Sequence, residues 1–271
     1  IEIGGESVVG DTKEVTVLGT VFQMKGRQNI GVLSSGGSVL LGGTAKMPYS
    51  LFFVDYAEDC YGVLAGERPS GASSLSGSSS INVEIMAAQF FMGQSNPSDG
   101  LANTFNGAGV YLNAADASIK IGEAYFITAG QGSSGVYAKQ GNITQTADGR
   151  LVIITGARYD EYRAGGMDLS GNWITFPTED DFTAGRLLPV VTQSISDSHG
   201  IYAESGHVSL SKAYVAVYSD SACGIYTAGS SVPVSDRLDM DIRISSNGNH
   251  SVLSSTAIST VGGNISLSEA Q

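Results

Sequence analysis

An all-β chain wound as a solenoid, with three short strands in each repeat and one or two inserted loops, is the architecture implied by three observations. The first is a recurring triplet. Gly109-Val110-Tyr111, Gly135-Val136-Tyr137, Gly200-Ile201-Tyr202 and Gly224-Ile225-Tyr226 are near copies, and Gly31-Val32-Leu33, Gly62-Val63-Leu64 and Ser251-Val252-Leu253 are degenerate ones. The copies lie about 26 residues apart from Gly109 to Gly135, about 24 from Gly200 to Gly224 and about 27 from Gly224 to Ser251, a spacing that signals stacked structural repeats. The second observation is agreement downstream of the triplet, which a chance tripeptide would not show. The third is composition: 36 glycines, 6 prolines and 15% charged residues, against a usual charged share of about a quarter, suit many short strands joined by frequent turns.

The triplet supplies a corner glycine and the first strand of each repeat. About eight residues further on stands an apolar pair at alternate positions: Val39 and Leu41, Val208 and Leu210, Val232 and Val234, with Ile143 taking the first place in its own copy. After about eight more comes a third group: Leu151 and Ile153, Val215 and Val217, Met240, Ile242 and Ile244, Ile265 and Leu267. Alternation turns Val, Ile and Leu inward and Ser, Thr, Lys or Gln outward. One repeat has too little inward surface to stand alone, so its neighbours must stack on it to close a continuous core. The longer intervals, 62–109 and 135–200, hold degenerate repeats or insertions. In the first, "GERPSGASSLSGSSS" reads as a polar surface loop, while Ile81 to Met92 is a strand or a short helix, which its apolar spacing does not separate. Gly130, Gly132 and Gly135 in "AYFITAGQGSSGVYAKQGN" have dinucleotide-loop spacing, but such a loop needs a helix directly behind it. The residues behind Gly135 are β-branched and turn-rich, so the stretch is read as part of the repeat.

As they stand, "GVYAKQGNITQTADGRLVIITG" and "GIYAESGHVSLSKAYVAVYS" resemble single turns of the right-handed parallel β-helix of pectate-lyase-like enzymes, autotransporter passengers and bacterial surface adhesins. The resemblance covers most of 109–271 and, more loosely, 1–65. It implies one β-helix domain over 1–271 and export to the cell surface or medium. Its specificity is for the fold, and no catalytic residue is carried over by it.

A formal net charge of −12 opposes nucleic acid, whose binding draws on clustered Lys and Arg, and opposes anionic membrane surfaces for the same reason. No run approaches the about 18 apolar residues of a spanning helix. The opening "IEIGGESVVG" has neither the basic start nor the apolar centre of a signal peptide, and beginning at Ile1 the chain reads as a mature or truncated form. Cys60 in "CYGVL" and Cys223 in "CGIY" precede triplets several repeats apart. At about 4.8 Å per stacked strand, five turns separate them by roughly 24 Å, beyond the about 7 Å Cα limit of a disulfide. Both are expected to be reduced and inward-facing.

Function in a solenoid sits where the repeat is interrupted. "GARYDEYRAGGMDLSGNWITFPTEDDFTAGR" holds the single tryptophan, Trp173, with Tyr159 and Tyr162 and the acids Asp160 and Glu161. Flat aromatic faces beside carboxylates suit sugars, whose C–H face stacks on a ring while hydroxyls bond to the acids. A core role for Trp173 with solvated acids is the competing reading. In "SVPVSDRLDMDIRISSNGN", Asp239 and Asp241 stand at alternate strand positions with Asp236 before them, a hard-oxygen set suited to calcium, though two or three acids fall short of the 6–8 ligands that ion takes. Alternating acid and base on a solvated strand is the competing reading there. His199, His207 and His250 show no metal-site spacing, and no nucleophile elbow is present. The expectation is a non-catalytic, exported bacterial surface protein binding polysaccharide or cell-surface glycan. A polysaccharide lyase or glycosidase on the same scaffold is the alternative.

Overall fold

The computed structural model describes residues 2–3, 14–67, 80–93, 104–158, 190–191, 197–217, 222–228, 232–242, 256–261 and 265–267. Every regular element among them is a β-strand, so none is a helix able to cross a membrane. In chain order these are β1 (Glu2–Ile3), β2 (Glu14–Leu18), β3 (Val21–Arg27), β4 (Ile30–Ser34), β5 (Gly37–Gly42), β6 (Ser50–Glu58) and β7 (Tyr61–Gly66). Next come β8 (Ile81–Ile85), β9 (Ala88–Met92), β10 (Thr104–Phe105), β11 (Ala108–Thr128), β12 (Ser134–Thr155), β13 (Ala157–Arg158) and β14 (Val190–Val191). The series ends with β15 (His199–Ala203), β16 (Val208–Val217), β17 (Cys223–Ala228), β18 (Val232–Ile242), β19 (Thr256–Val261) and β20 (Ile265–Leu267).

Eighteen strands join one long parallel sheet, and β13 pairs with β14 antiparallel apart from it. Pairing has a period of three elements: β4 pairs with β7, β5 with β8 and β6 with β9. The long β11 passes through all three columns, so β7, β8 and β9 each find a partner along it. β12 lies on β11, β15 and β16 lie on β12, and β17 and β18 on those in turn, followed by β19 and β20. The outcome is an all-β, solenoid-like architecture. Ile81 to Met92 is two strands, and the segment behind Gly130 and Gly132 is strand β12, not a helix.

Register explains the core. Val63, Val110, Val136, Ile201 and Ile225 stand in line in the first column, and Val39, Val83, Ile119, Ile143 and Val208 in the second. In the third, Phe52, Phe90, Phe126, Ile153 and Val215 succeed one another. All fifteen are in one buried interior cluster, and each contributes about 1.5–3 kcal/mol by leaving water. Like stacks on like because register partners are one strand spacing apart, about 4.8 Å: Phe22–Phe52 and Phe52–Phe90 are both 4.7 Å between ring centroids and Phe90–Phe126 is 5.0 Å.

Four expectations are corrected. The triplet glycines are not corners. They lie inside strands, and a β-carbon at Gly200 would stand 2.0 Å from Ile153 Cγ2 and 2.5 Å from the Gly224 carbonyl oxygen, so glycine is required by close approach of the third column. Ser251-Val252-Leu253 is not the next copy of the triplet, since Ile225 pairs with Ile258 of β19. Ile265 and Leu267 belong to the second column, opposite Val232 and Val234. Both errors come from loop lengths that vary between turns, which a fixed count of residues misses. Finally, strict inward–outward alternation fails in the third column, where Leu51, Phe53, Phe91, Ile127 and Ile154 form a second buried cluster on the face away from the interior.

Both cysteines are free and buried. Cys60 belongs to the interior cluster, where its Sγ accepts from the Asn29 N–H at 3.3 Å. Cys223 sits at the register place of His199, outside that cluster, and burial pushes its thiol up to about 11.

Candidate functional site: an exterior tyrosine ladder

In a strand whose valine or isoleucine points into the core, the next residue points out. The third letter of the triplet is that residue. Tyr111 of β11, Tyr137 of β12, Tyr202 of β15 and Tyr226 of β17 are register partners and stack on the outside of the first column. Centroid separations are 5.2 Å for Tyr111–Tyr137, 5.2 Å for Tyr137–Tyr202 and 4.8 Å for Tyr202–Tyr226, while the interplanar angle falls from 43° through 32° to 16°. Tyr61 continues the strip at 5.1 Å from Tyr111, reaching it from a different register place, that of Ala108. Tyr61 and Tyr111 are buried, whereas Tyr137, Tyr202 and Tyr226 are half-buried.

Polar groups lie along the exposed part. The Tyr137 hydroxyl donates a short hydrogen bond to Glu204. Glu204 is held there by its own N–H, which donates to the Ala138 carbonyl at 2.8 Å, and Ser205 Oγ donates to the Lys139 carbonyl at 2.9 Å. The His207 N–H donates to Asn142 Oδ1 at 2.9 Å. Lys139, Gln140, Asn142, Glu204 and Ser205 line an open groove of about 420 Å³ beside the ladder. Its floor is glycine for a reason: Gly206 has φ +98°, and a β-carbon there would come within 1.8 Å of the Gly141 carbonyl oxygen. Burial, helped by the Glu204 charge, raises the proton affinity of Tyr111, Tyr137 and Tyr202 above the usual phenol, so these rings stay neutral. His199 packs edge-on to Tyr202 at 4.9 Å, and burial lowers its imidazole below the ordinary value.

A larger hollow of about 550 Å³ lies between β3 and β4, lined by Phe22, Met24, Asn29 and Ile30 among others. Phe22 there stacks on Phe52 at 4.7 Å, and Lys25 is the one charged side chain in the lining. On the outer face of the third column, Glu123 accepts from the Tyr49 and Tyr125 hydroxyls at 2.6 and 3.3 Å and faces Arg150 at 3.9 Å. That carboxylate is fully engaged in holding neighbouring turns together.

Trp173, Tyr159, Tyr162, Asp160 and Glu161 lie outside the described residues. Of the three acids expected to hold calcium, the backbone register puts Asp239 opposite Tyr214 and Asp241 opposite Ala216, while Asp236 falls where the pairing of β16 with β18 slips. Tyr214 and Ala216 belong to the buried outer face of the third column, not to an open flank. Among the described residues no three Asp, Glu, His or Cys side chains gather as a metal site. Sequence reasoning found the tyrosines but used them only as repeat markers; the parity of the triplet was the signal that they face outward.

Comparison with protein-family models, with curated proteins and with solved structures finds no match. The class of protein is therefore set by its architecture alone: all-β, parallel-stranded and solenoid-like, with an aromatic strip on one flank.

Proposed function

We propose that this chain is a non-catalytic, exported bacterial surface protein that binds polysaccharide or cell-surface glycan along the flank of a right-handed parallel β-helix with three strands to the turn. The coil is supported by the three-element pairing period and by the strong right-handed preference of parallel crossovers, about 98%. The observation that carries the binding reading is the ladder: three half-buried tyrosines, one per turn, spaced 5.2 and 4.8 Å apart beside a polar groove. A linear sugar polymer laid along it would meet one phenol edge and hydroxyl per turn, the ring faces being stacked on one another, with Lys139, Asn142 and Ser205 beside its hydroxyls. The segment with Trp173, Tyr159, Tyr162, Asp160 and Glu161 carries residue types of the same chemistry.

The test is retention on insoluble polysaccharides and a glycan array. Tyr202→Ala and Tyr226→Ala are each expected to weaken retention about fivefold, the value of about 1 kcal/mol for one ring contact. Loss on Trp173→Ala with both ladder variants unaffected would move the site to that segment; retention by all three variants would end the reading. EDTA enters the same assay, because release by chelation would give Asp236, Asp239 and Asp241 a calcium-dependent part.

A further inference from the structure

We infer that the tyrosine ladder is a site of oxidative cross-linking, at which a carbon–carbon bond forms between the rings of Tyr137 and Tyr202. The inference goes beyond glycan binding and does not depend on it. Three observations carry it. Tyr137 and Tyr202 are direct register partners on the parallel strands β12 and β15, so their rings start about one strand spacing apart, at 5.2 Å between centroids and 32° between planes. The Tyr137 hydroxyl donates to Glu204, so a base already holds the proton that a phenol gives up as it loses an electron. Of the two rings that flank Tyr137, Tyr111 is buried and Tyr202 is half-buried, so Tyr202 is the neighbour whose proton can leave to water. Tyr202 and Tyr226 lie closer, at 4.8 Å, but among the described residues neither of their hydroxyls donates to a carboxylate. Tyr49 and Tyr125 share Glu123, yet their rings meet edge to face at 82°, Tyr125 is buried and Arg150 stands 3.9 Å from that carboxylate. The step takes two equivalents of an external one-electron oxidant of the high-valent metal-complex class, each reduced by one electron. Tyr137 loses an electron to the first and its proton to Glu204; Tyr202 loses an electron to the second and its proton to water. The two phenoxyl radicals join through one ring carbon ortho to each oxygen, and the hydrogens on those carbons move to the oxygens to restore both phenols. The net change is the loss of two hydrogen atoms, as two protons and two electrons. The bond links turns separated in sequence by residues 138–201, and closes that interval as a disulfide would.

The experiment is photo-oxidation of the dilute full chain with tris(bipyridine)ruthenium(II) and persulfate, read by dityrosine fluorescence, chain mass and peptide mapping. The expected product is a single chain lighter by two hydrogen atoms, in which the peptides of Tyr137 and Tyr202 are joined. Tyr137→Phe and Tyr202→Phe, which keep the rings in place, are each expected to remove that product, while Tyr226→Phe keeps it. Glu204→Gln is expected to slow its formation about tenfold, less than a positioned base gives in a closed site because buffer replaces it in part. The rate is expected to be independent of buffer concentration in the wild-type chain and to rise with it in Glu204→Gln, a response that a merely structural role for Glu204 would not produce. The cross-linked chain is expected to unfold at a higher urea concentration than the untreated one. A main product joining Tyr202 to Tyr226, Tyr111 to Tyr137 or Tyr49 to Tyr125 would overturn the inference. So would the absence of any bond within one chain, a rate unchanged in Glu204→Gln, or a urea midpoint unmoved by cross-linking.

Discussion

A β-carbon placed on Gly135 would lie 2.4 Å from Phe126 Cβ and 2.7 Å from the Gly200 carbonyl oxygen, closer than real side-chain carbons come. Gly135→Ala is therefore expected to cost about 1–3 kcal/mol, the range for forcing an extra methyl into a packed interior, read as a lower urea midpoint with an unchanged slope. An unchanged midpoint would mean that the first and third columns are further apart than described. The triplet was legible in the sequence, but the reason for its glycine was not. Glycine is commonest in turns, and nothing local to "GVY" announces a phenylalanine packed against its backbone. The tyrosine beside it was legible twice over, as a repeat marker and, by parity, as an outward ring.

For the strands themselves, alternation was a good guide in the first two columns and a poor one in the third. "SLFFVDY", "AQFFM", "AYFIT" and "LVIIT" are largely apolar runs without strict alternation, as expected of parallel strands buried on both faces. A strand read alone shows which residues are apolar but not what covers its second face, and that part of the fold was not legible. Gln89 of β9 is the exception within this face. It is 1% exposed, in register with Leu51 and Tyr125, and neither of its amide atoms has a hydrogen-bond partner among the described residues. Gln89→Leu is expected to raise stability by about 1–3 kcal/mol by removing the cost of a dry, unpaired amide. A thermal midpoint that falls instead would show that the amide is bonded in solution.

At the scale of the whole molecule, the buried acids among the described residues are phenols and a thiol more than carboxylates. Burial is the leading cause that raises Tyr49, Tyr61, Tyr111, Tyr125, Tyr137 and Tyr202 above the ordinary phenol, and it lifts Cys223 from 9.0 to about 11. The unfolded chain therefore releases these protons at lower pH than the folded chain does, and stability falls as pH rises. The Cys223 share is complete below about pH 9 and lost by about pH 11, and the phenols extend the decline. Urea midpoints measured along an alkaline series are expected to drop steadily over that window, with the first part of the drop softened in Cys223→Ala. A flat series would mean that the rings are open to water. The candidate site reached by sequence, around Trp173, and the one reached by structure, around Tyr202, share a chemistry but not a segment, because only spatial stacking brings the triplet tyrosines side by side.

The register of the first column has a genetic corollary. Since each turn from β4 to β17 offers its neighbours the same glycine, the same inward aliphatic residue and, from β11 to β17, the same ring outside, a turn is an interchangeable part. Copying or deleting one stretch of coding sequence would lengthen or shorten the strip by one ring without disturbing the seams, so the length of the aromatic strip is a quantity that duplication alone can tune.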